Sequence, residues 1–204
     1  KIIMNSLYGV LGSKGCRFYD PRLSSSITLR GHEIMQTTKK WIEEWGYEVI
    51  YGDTDSTFVK LDDDLNSLNC NEIGTKLAGK INKRWQLVLQ QDYKIDSFLE
   101  IEYETHYSPF FMPTIRGKTM GSKKRYVGKV EKNGASEMVF KGMETVRSDW
   151  TELAHKFQTE LFEILFGENY SQELIIQTFD KYVKKLYAGE FDAMLVYRKR
   201  LGQH

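Results

Sequence analysis

Asp53 and Asp55, two acids with one residue between them, carry the clearest chemical signal in this 204-residue chain. They lie in Gly52-Asp53-Thr54-Asp55-Ser56, a run of turn formers between two short stretches rich in β-branched and aromatic residues, Tyr47–Tyr51 and Thr57–Leu61. Apolar runs around a polar turn predict a β-hairpin with both acids at its tip. Carboxylates that close repel one another unless a cation neutralises them. A hard divalent ion such as Mg2+ takes carboxylate oxygens and keeps water and substrate phosphates as its remaining ligands. The plain alternative is a polar turn in which Asp and Ser serve the backbone alone, and D-x-D by itself favours that alternative.

A second group stands at the start of the chain. Lys1, Asn5 and Tyr8 fall at i, i+4 and i+7, so on a helix they share one face. An ammonium, an amide and an aromatic ring on one stripe suit a nucleotide: the cation meets a triphosphate and the ring meets a base. Gly9 beside them lets a backbone or base approach closely. An ordinary core helix with an exposed lysine explains the same residues without the hairpin. The third group is basic. Between Arg116 and Lys132 stand seven cations (Arg116, Lys118, Lys123, Lys124, Arg125, Lys129, Lys132) against Glu131, a local net charge of +6. Phosphate contacts of this kind supply affinity without sequence information. An edge strand guarded by lysine would account for one or two of these residues but not seven. A further cluster, Arg198-Lys199-Arg200, reads equally well as a phosphate contact or as plain surface.

Several elements must position these groups. Ile27, Ile34, Thr38, Trp41, Ile42 and Trp45 recur at helical spacing and predict a helix over Leu23–Trp45, stopped at Gly46. Ile73, Leu77, Ile81, Trp85 and Val88 mark a second amphipathic helix, and Asp62-Asp63-Asp64 a solvated loop before it. Phe98–Glu104 alternates strictly: Leu99, Ile101 and Tyr103 face one way, and Glu100, Glu102 and Glu104 the other, which predicts a half-buried strand. Strand patterns follow at Phe110–Ile115, Arg125–Val130 and Glu137–Phe140. Helical spacing returns at Trp150–Leu165 and Ile175–Leu186. Helices and antiparallel strands followed by a helical tail make an α+β chain.

Composition narrows the classes. Hydrophobic residues at 41% and charged residues at 28% are ordinary for a folded globular chain. With 29 Lys plus Arg against 28 Asp plus Glu the net charge is +1, which excludes a uniformly basic nucleic-acid coat and leaves the local patch. Cys16 and Cys70 alone make no disulfide framework and point to a reducing interior. The four histidines show no zinc spacing with either cysteine. Neither a membrane-length apolar run nor signal-peptide features are present. The chain opens at Lys1 inside a helix-like run with no initiator Met, which is the expectation for a piece of a longer polypeptide.

Three motifs in order resemble family B DNA polymerases. Tyr51-Gly52-Asp53-Thr54-Asp55-Ser56 is similar to that family's Y-G-D-T-D-S hairpin. Lys1 to Gly9 is similar to K-x-x-x-N-S-x-Y-G, and Lys123-Lys124-Arg125-Tyr126 to K-K-R-Y. The surrounding text, Phe18-Tyr19-Asp20-Pro21-Arg22-Leu23 and Lys141 to Arg147, looks most like the bacterial branch. The resemblance covers essentially the whole chain and implies an antiparallel-sheet palm with packed helices followed by a small helical thumb. Residues 1–12 would end a fingers helix, 13–147 would form the palm and 148–204 the thumb.

The resemblance also implies roles. Asp55 would bind two Mg2+ ions, with Asp53 as its neighbour in the catalytic site. Lys1 would meet the incoming deoxynucleoside triphosphate, and Asn5 and Tyr8 the nascent pair. Lys123, Lys124, Arg125 and Tyr126 would bind DNA, with Lys124 and Tyr126 near the primer end. Glu102 and Glu104 would approach the metal cleft as auxiliary contacts, and a strand face exposed to solvent explains them as well. The reaction would be attack of a primer 3′-hydroxyl on the α-phosphorus, with primer–template DNA and the remaining polymerase domains as partners. The setting would be DNA replication and repair in the bacterial cytoplasm, with no membrane. A further carboxylate lies upstream in the family and is not among these residues, so the 204 residues alone should not polymerise. Two other readings stay open: a duplex-gripping module without a formed metal site, and a metal-dependent nuclease, the latter ranked last because hydrolysis does not require the Lys1–Asn5–Tyr8 stripe.

Overall fold

Asp20 and Pro21 set where the long helix begins. In the computed structural model, α1 (Ile2–Gly12) is followed by α2 (Pro21–Glu44), two residues earlier at its start than the apolar spacing alone predicts. The Asp20 carboxylate accepts the Arg22 backbone N–H at 2.9 Å, and Pro21 takes a first-turn position where its missing N–H costs nothing. Residues 2–53, 55–62, 65, 67–114, 124–132 and 134–198 are described, with residues 2–5 and 67 described by backbone alone. The chain divides into two compact units, Lys1–Glu104 and Thr105–His204.

In the first unit, Gly46 at φ +89 turns the chain out of α2 into β1 (Glu48–Asp53), which pairs antiparallel with β2 (Ser56–Lys60). The expected hairpin is present. α3 (Ser67–Val88) follows, extended by a single wider turn over Leu89–Tyr93 that ends at Lys94 with φ +57. Of the expected acidic loop, Asp62 is exposed, and Asp63 and Asp64 lie outside the described residues. Trp41 and Ile42 of α2, Val49 of β1, and Ile81 and Trp85 of α3 form the buried core. Trp85 donates its indole N–H to buried Thr38 at 3.0 Å, so these two buried polar groups satisfy one another. Arg84 lies over Trp41 at 4.4 Å and Lys80 over Trp45 at 3.9 Å, covering the core's rim with cations. The apolar stripe of α2 is buried only in its C-terminal half, for Ile27 is 51% exposed.

One expectation is corrected. Phe98–Glu104 alternates as predicted, with Leu99, Ile101 and Tyr103 half-buried and Glu100, Glu102 and Glu104 exposed, but it is not a strand. Its inward side chains pack on the core beside α3 instead of joining a sheet. The backbone of Ile101 is met by a side chain: Asn82 donates to the Ile101 carbonyl at 2.9 Å and accepts its N–H at 2.8 Å. Tyr103 lies flat over Gly74 and donates to Asn71 at 2.5 Å. Alternation reports which face is apolar. It cannot report whether a ladder partner is available.

In the second unit, β3 (Phe110–Phe111), β4 (Tyr126–Lys132) and β5 (Ala135–Lys141) form an antiparallel sheet in that order. The strand expected over Phe110–Ile115 is regular only at Phe110–Phe111, and Ile115 lies outside the described residues. Lys132 faces Ala135 across a two-residue turn whose Gly134 adopts φ +78. α4 (Glu152–Leu165), capped by Thr151, and α5 (Gln172–Tyr187), capped by Ser171, are the two expected tail helices. α4 is more than an appendage. Its Phe162 closes a core with Val127 of β4 and Met143, flanked by Met138 and Phe140 of β5. Glu160 of α4 accepts from Tyr182 at 2.5 Å and from Lys181 at 3.1 Å, which ties α5 to it.

Candidate active site

Register brings the hairpin acids together at one tip. Asp53 is the last residue of β1 and faces Ser56, the first of β2, so the strands are joined through a two-residue connection that carries Asp55. A two-residue connection is the tightest a hairpin allows. Below it the ladder carries one irregularity between Val49 and Tyr51, which sets Ile50 out of register. Val49 is buried and Tyr51 and Asp53 are half-buried, whereas Glu48, Ile50 and Gly52 are exposed. Asp53 therefore stands on the core-facing side and Asp55 projects from the turn into solvent. The Tyr51 and Phe58 rings meet across the pair at 5.5 Å and brace the tip. Ser56 donates its hydroxyl to Asp55 at 3.3 Å. Asp55 offers a hard oxygen donor to solvent of the kind Mg2+ takes together with water and substrate oxygens, while Asp53 stands half-buried at the end of the strand. Among the described residues no group of three His, Cys, Asp or Glu is gathered for a metal.

Of the helix stripe, Lys1 lies outside the described residues and Asn5 is placed by backbone alone on α1. Tyr8 is exposed, and its hydroxyl meets Thr28 of α2 at 2.8 Å. Thr28 gives its own proton to the Ser24 carbonyl at 3.0 Å, so Tyr8 is the donor. That bond ties the ring to α2 while the residue stays 48% exposed. A Cβ at Gly9 would meet nothing within 4 Å, so the space beside Tyr8 is clear for an approaching group.

The basic segment is in the second unit. Arg116, Lys118 and Lys123 lie outside the described residues. Lys124 is exposed and adopts φ +60, a left-handed conformation uncommon for a residue with a side chain. Its carbonyl oxygen comes so close to Gly142 that a Cβ there would stand 2.0 Å away, and Gly142 itself has φ +59. Arg125, its side chain 40% exposed, pairs with Glu144, whose side chain is only 17% exposed. Gln158 of α4 donates to Glu144 at 2.9 Å and accepts the Thr145 backbone N–H at 2.8 Å and the Thr145 hydroxyl. Burial pushes the Glu144 carboxyl up, but the hydrogen bonds from Gln158 and its own backbone, with the charge and hydrogen bond of Arg125, outweigh it and hold the group below its usual range. Tyr126 opens β4 and closes an aromatic triangle with Tyr107 at 5.9 Å and Phe110 at 5.4 Å. Glu102 and Glu104 are exposed on the first unit's extended segment. Arg198 is exposed, and Lys199 and Arg200 lie outside the described residues.

Sequence reasoning quoted Gly142 and Glu144 only as part of a resembling stretch, and it passed over Gln158. A glycine two residues before an acid, just past a strand, was the available signal for the first two. Gln158, 14 residues beyond Glu144, left none.

Comparison with known proteins agrees with this geometry. Residues 1–199 match DNA polymerase family B. DNA polymerase II of Escherichia coli is 55% identical over 98% of the chain and 25% of its own length. The DNA polymerase alpha catalytic subunit of Mus musculus is 33% identical over 76% of the chain and 10% of its own length. A DNA polymerase of Archaeoglobus fulgidus is 31% identical over 82% and 18%. The chain thus spans a quarter or less of each of these relatives. With a match across nearly all of its length and the acidic hairpin in place, the chain belongs to DNA polymerase family B.

Proposed function

We propose that this chain is the palm and thumb portion of a DNA-directed DNA polymerase close to bacterial DNA polymerase II, acting on primer–template DNA and deoxynucleoside triphosphates. The observation that carries the reading is the two-residue turn that sets Asp53 and Asp55 at one hairpin tip in a chain of this family. Residues 1–12 close the fingers, 13–147 form the palm and 148–204 the thumb. The remaining domains of a longer polymerase supply what these residues lack. The setting is DNA replication and repair in the bacterial cytoplasm.

Asp55, with Asp53 beside it, holds Mg2+ through hard carboxylate oxygens. Asp55 and Asp53 would hold such ions, whose chemistry would be activation of the primer 3′-hydroxyl and stabilisation of the leaving oxygens. The chain's own residues position. Lys1 takes the triphosphate as a point charge, Asn5 and the exposed Tyr8 meet the nascent pair, and Lys123 to Tyr126 meet the primer–template backbone and minor groove. Minor-groove acceptors are shared by all correct pairs, so contact there tests pair shape rather than sequence.

Replacing Asp55 by Ala in the full-length polymerase that carries these residues should cut primer extension by on the order of 10²–10³-fold while leaving primer–template affinity within about threefold. Undiminished extension would refute the metal role. A second reading, a duplex-gripping module, has its own support, because Lys124 to Tyr126 are held among the described residues by Gly142, Glu144 and Phe110 of the second unit. Salt-steep DNA binding by the 204 residues without measurable Mg2+ binding would favour it.

A further inference from the structure

The three described residues of the basic motif, Lys124, Arg125 and Tyr126, do not share one environment. Lys124 is exposed, and Tyr126 packs in the aromatic triangle on the strand. Arg125 between them keeps its side chain 40% exposed but pairs with an acid held by two elements at once. Its Nε is buried and has no hydrogen-bond partner among the described residues, so the guanidinium is gripped through its contact with Glu144. Glu144 lies in the short helical turn Glu144–Val146, and Gln158 ties that turn to α4 through both Glu144 and Thr145. On the other side the Lys124 carbonyl sits over the bare α-carbon of Gly142. A residue with a side chain in the left-handed region persists only where its surroundings over-determine it. Here two neighbours do so: the missing Cβ of Gly142 and the anchored side chain of Arg125.

We propose that Arg125 is a positioning residue rather than a phosphate ligand. Glu144, held by Gln158, grips it, and together with Gly142 this fixes the backbone that presents Lys124 and Tyr126 to DNA. The inference rests on the proposed reading that this segment meets a nucleic-acid backbone, and it deepens that reading by dividing the motif into contact and support. A guanidinium neutralised by its own carboxylate releases no counterion when DNA binds. Its loss weakens binding through geometry, equally at all salt concentrations.

The test is primer–template binding by the full-length polymerase across a salt series, followed by anisotropy of a labelled duplex. Lys124→Ala should lower the slope of log affinity against log salt by about one. Arg125→Ala and Glu144→Gln should leave that slope unchanged and weaken binding roughly three- to tenfold, with Glu144→Asp recovering part of the loss. Glu144→Gln is the sharpest arm. Removing an acid near DNA raises affinity if Arg125 is thereby freed for phosphate and lowers it if Arg125 is a support. Tighter binding by Glu144→Gln, or a slope for Arg125→Ala reduced as in Lys124→Ala, overturns the assignment. If Arg125→Ala does not fold, Arg125→Lys keeps the charge: unchanged affinity overturns the proposal, and weakened affinity at unchanged slope supports it. A Lys124→Ala slope equal to wild type would instead overturn the underlying reading of the segment as a DNA contact, and the proposal with it.

Discussion

The acidic hairpin and the basic segment are held in opposite ways. Asp53 and Asp55 are placed by a ladder between adjacent strands and a two-residue turn, with Tyr51 packed on Phe58 beneath them. Every one of those contacts joins residues near in sequence. Lys124 to Tyr126 are placed by partners far along the chain: Gly142, Glu144, Gln158 through Glu144, and the rings of Tyr107 and Phe110. A tip built from local pairing forms with its hairpin. A segment fixed by distant partners forms only when its unit has folded, and it then presents its groups in one arrangement.

Two glycine substitutions would sharpen the contrast most. A Cβ at Gly142 would meet the Lys124 carbonyl at 2.0 Å on a backbone with φ +59, so Gly142→Ala should destabilise the second unit by about 3 kcal/mol. A Cβ at Gly52 would stand 3.7 Å from the Ser56 carbonyl, an ordinary contact, so Gly52→Ala should stay within about 1 kcal/mol of wild type. Chemical denaturation reads both. Equal losses would break the distinction between a clamp and a ladder. If Gly52→Ala folds normally but slows extension, the loss reports on something approaching the hairpin from outside.

Asn82 offers an intermediate case, for its side chain takes the place of a ladder on Ile101. Asn82→Ala should cost about 2 kcal/mol, because the Ile101 N–H and carbonyl both lose their partner. An unchanged denaturation midpoint would show that water or neighbouring backbone serves equally well.

Acid gives the smallest and most selective effect. The folded Glu144 lies below its usual value of 4.5, so its network contributes fully above that pH and fades as pH falls through the lowered value. The gap in thermal midpoint between wild type and Glu144→Gln should therefore narrow below pH 4.5. A gap that stays constant down to about pH 3 would mean the carboxylate's charge is not what holds Arg125.

Much of this was legible before any coordinates. The helix faces around Trp41 and Trp85, the hairpin, and the turn that carries both acids follow from spacing and turn chemistry. Those signals are set by residues within a few positions of one another. Phe98–Glu104 shows where such reasoning stops: its alternation correctly separated Leu99, Ile101 and Tyr103 from the glutamates but could not say that Asn82 replaces a strand. Arg125 shows it again, since composition counts its charge toward a phosphate patch while the fold turns it onto Glu144.

The sequence by itself determined the local elements, the pairing of Asp53 with Asp55 at one turn, and the membership of a polymerase family through motifs in order. Only the tertiary structure decided which charges are paired. Arg125 with Glu144 and Asn82 with Ile101 are pairs that stand 19 residues apart, and Glu144 with Gln158 stand 14 apart. Contacts over such distances arise from how elements pack, and no periodicity along the chain encodes them.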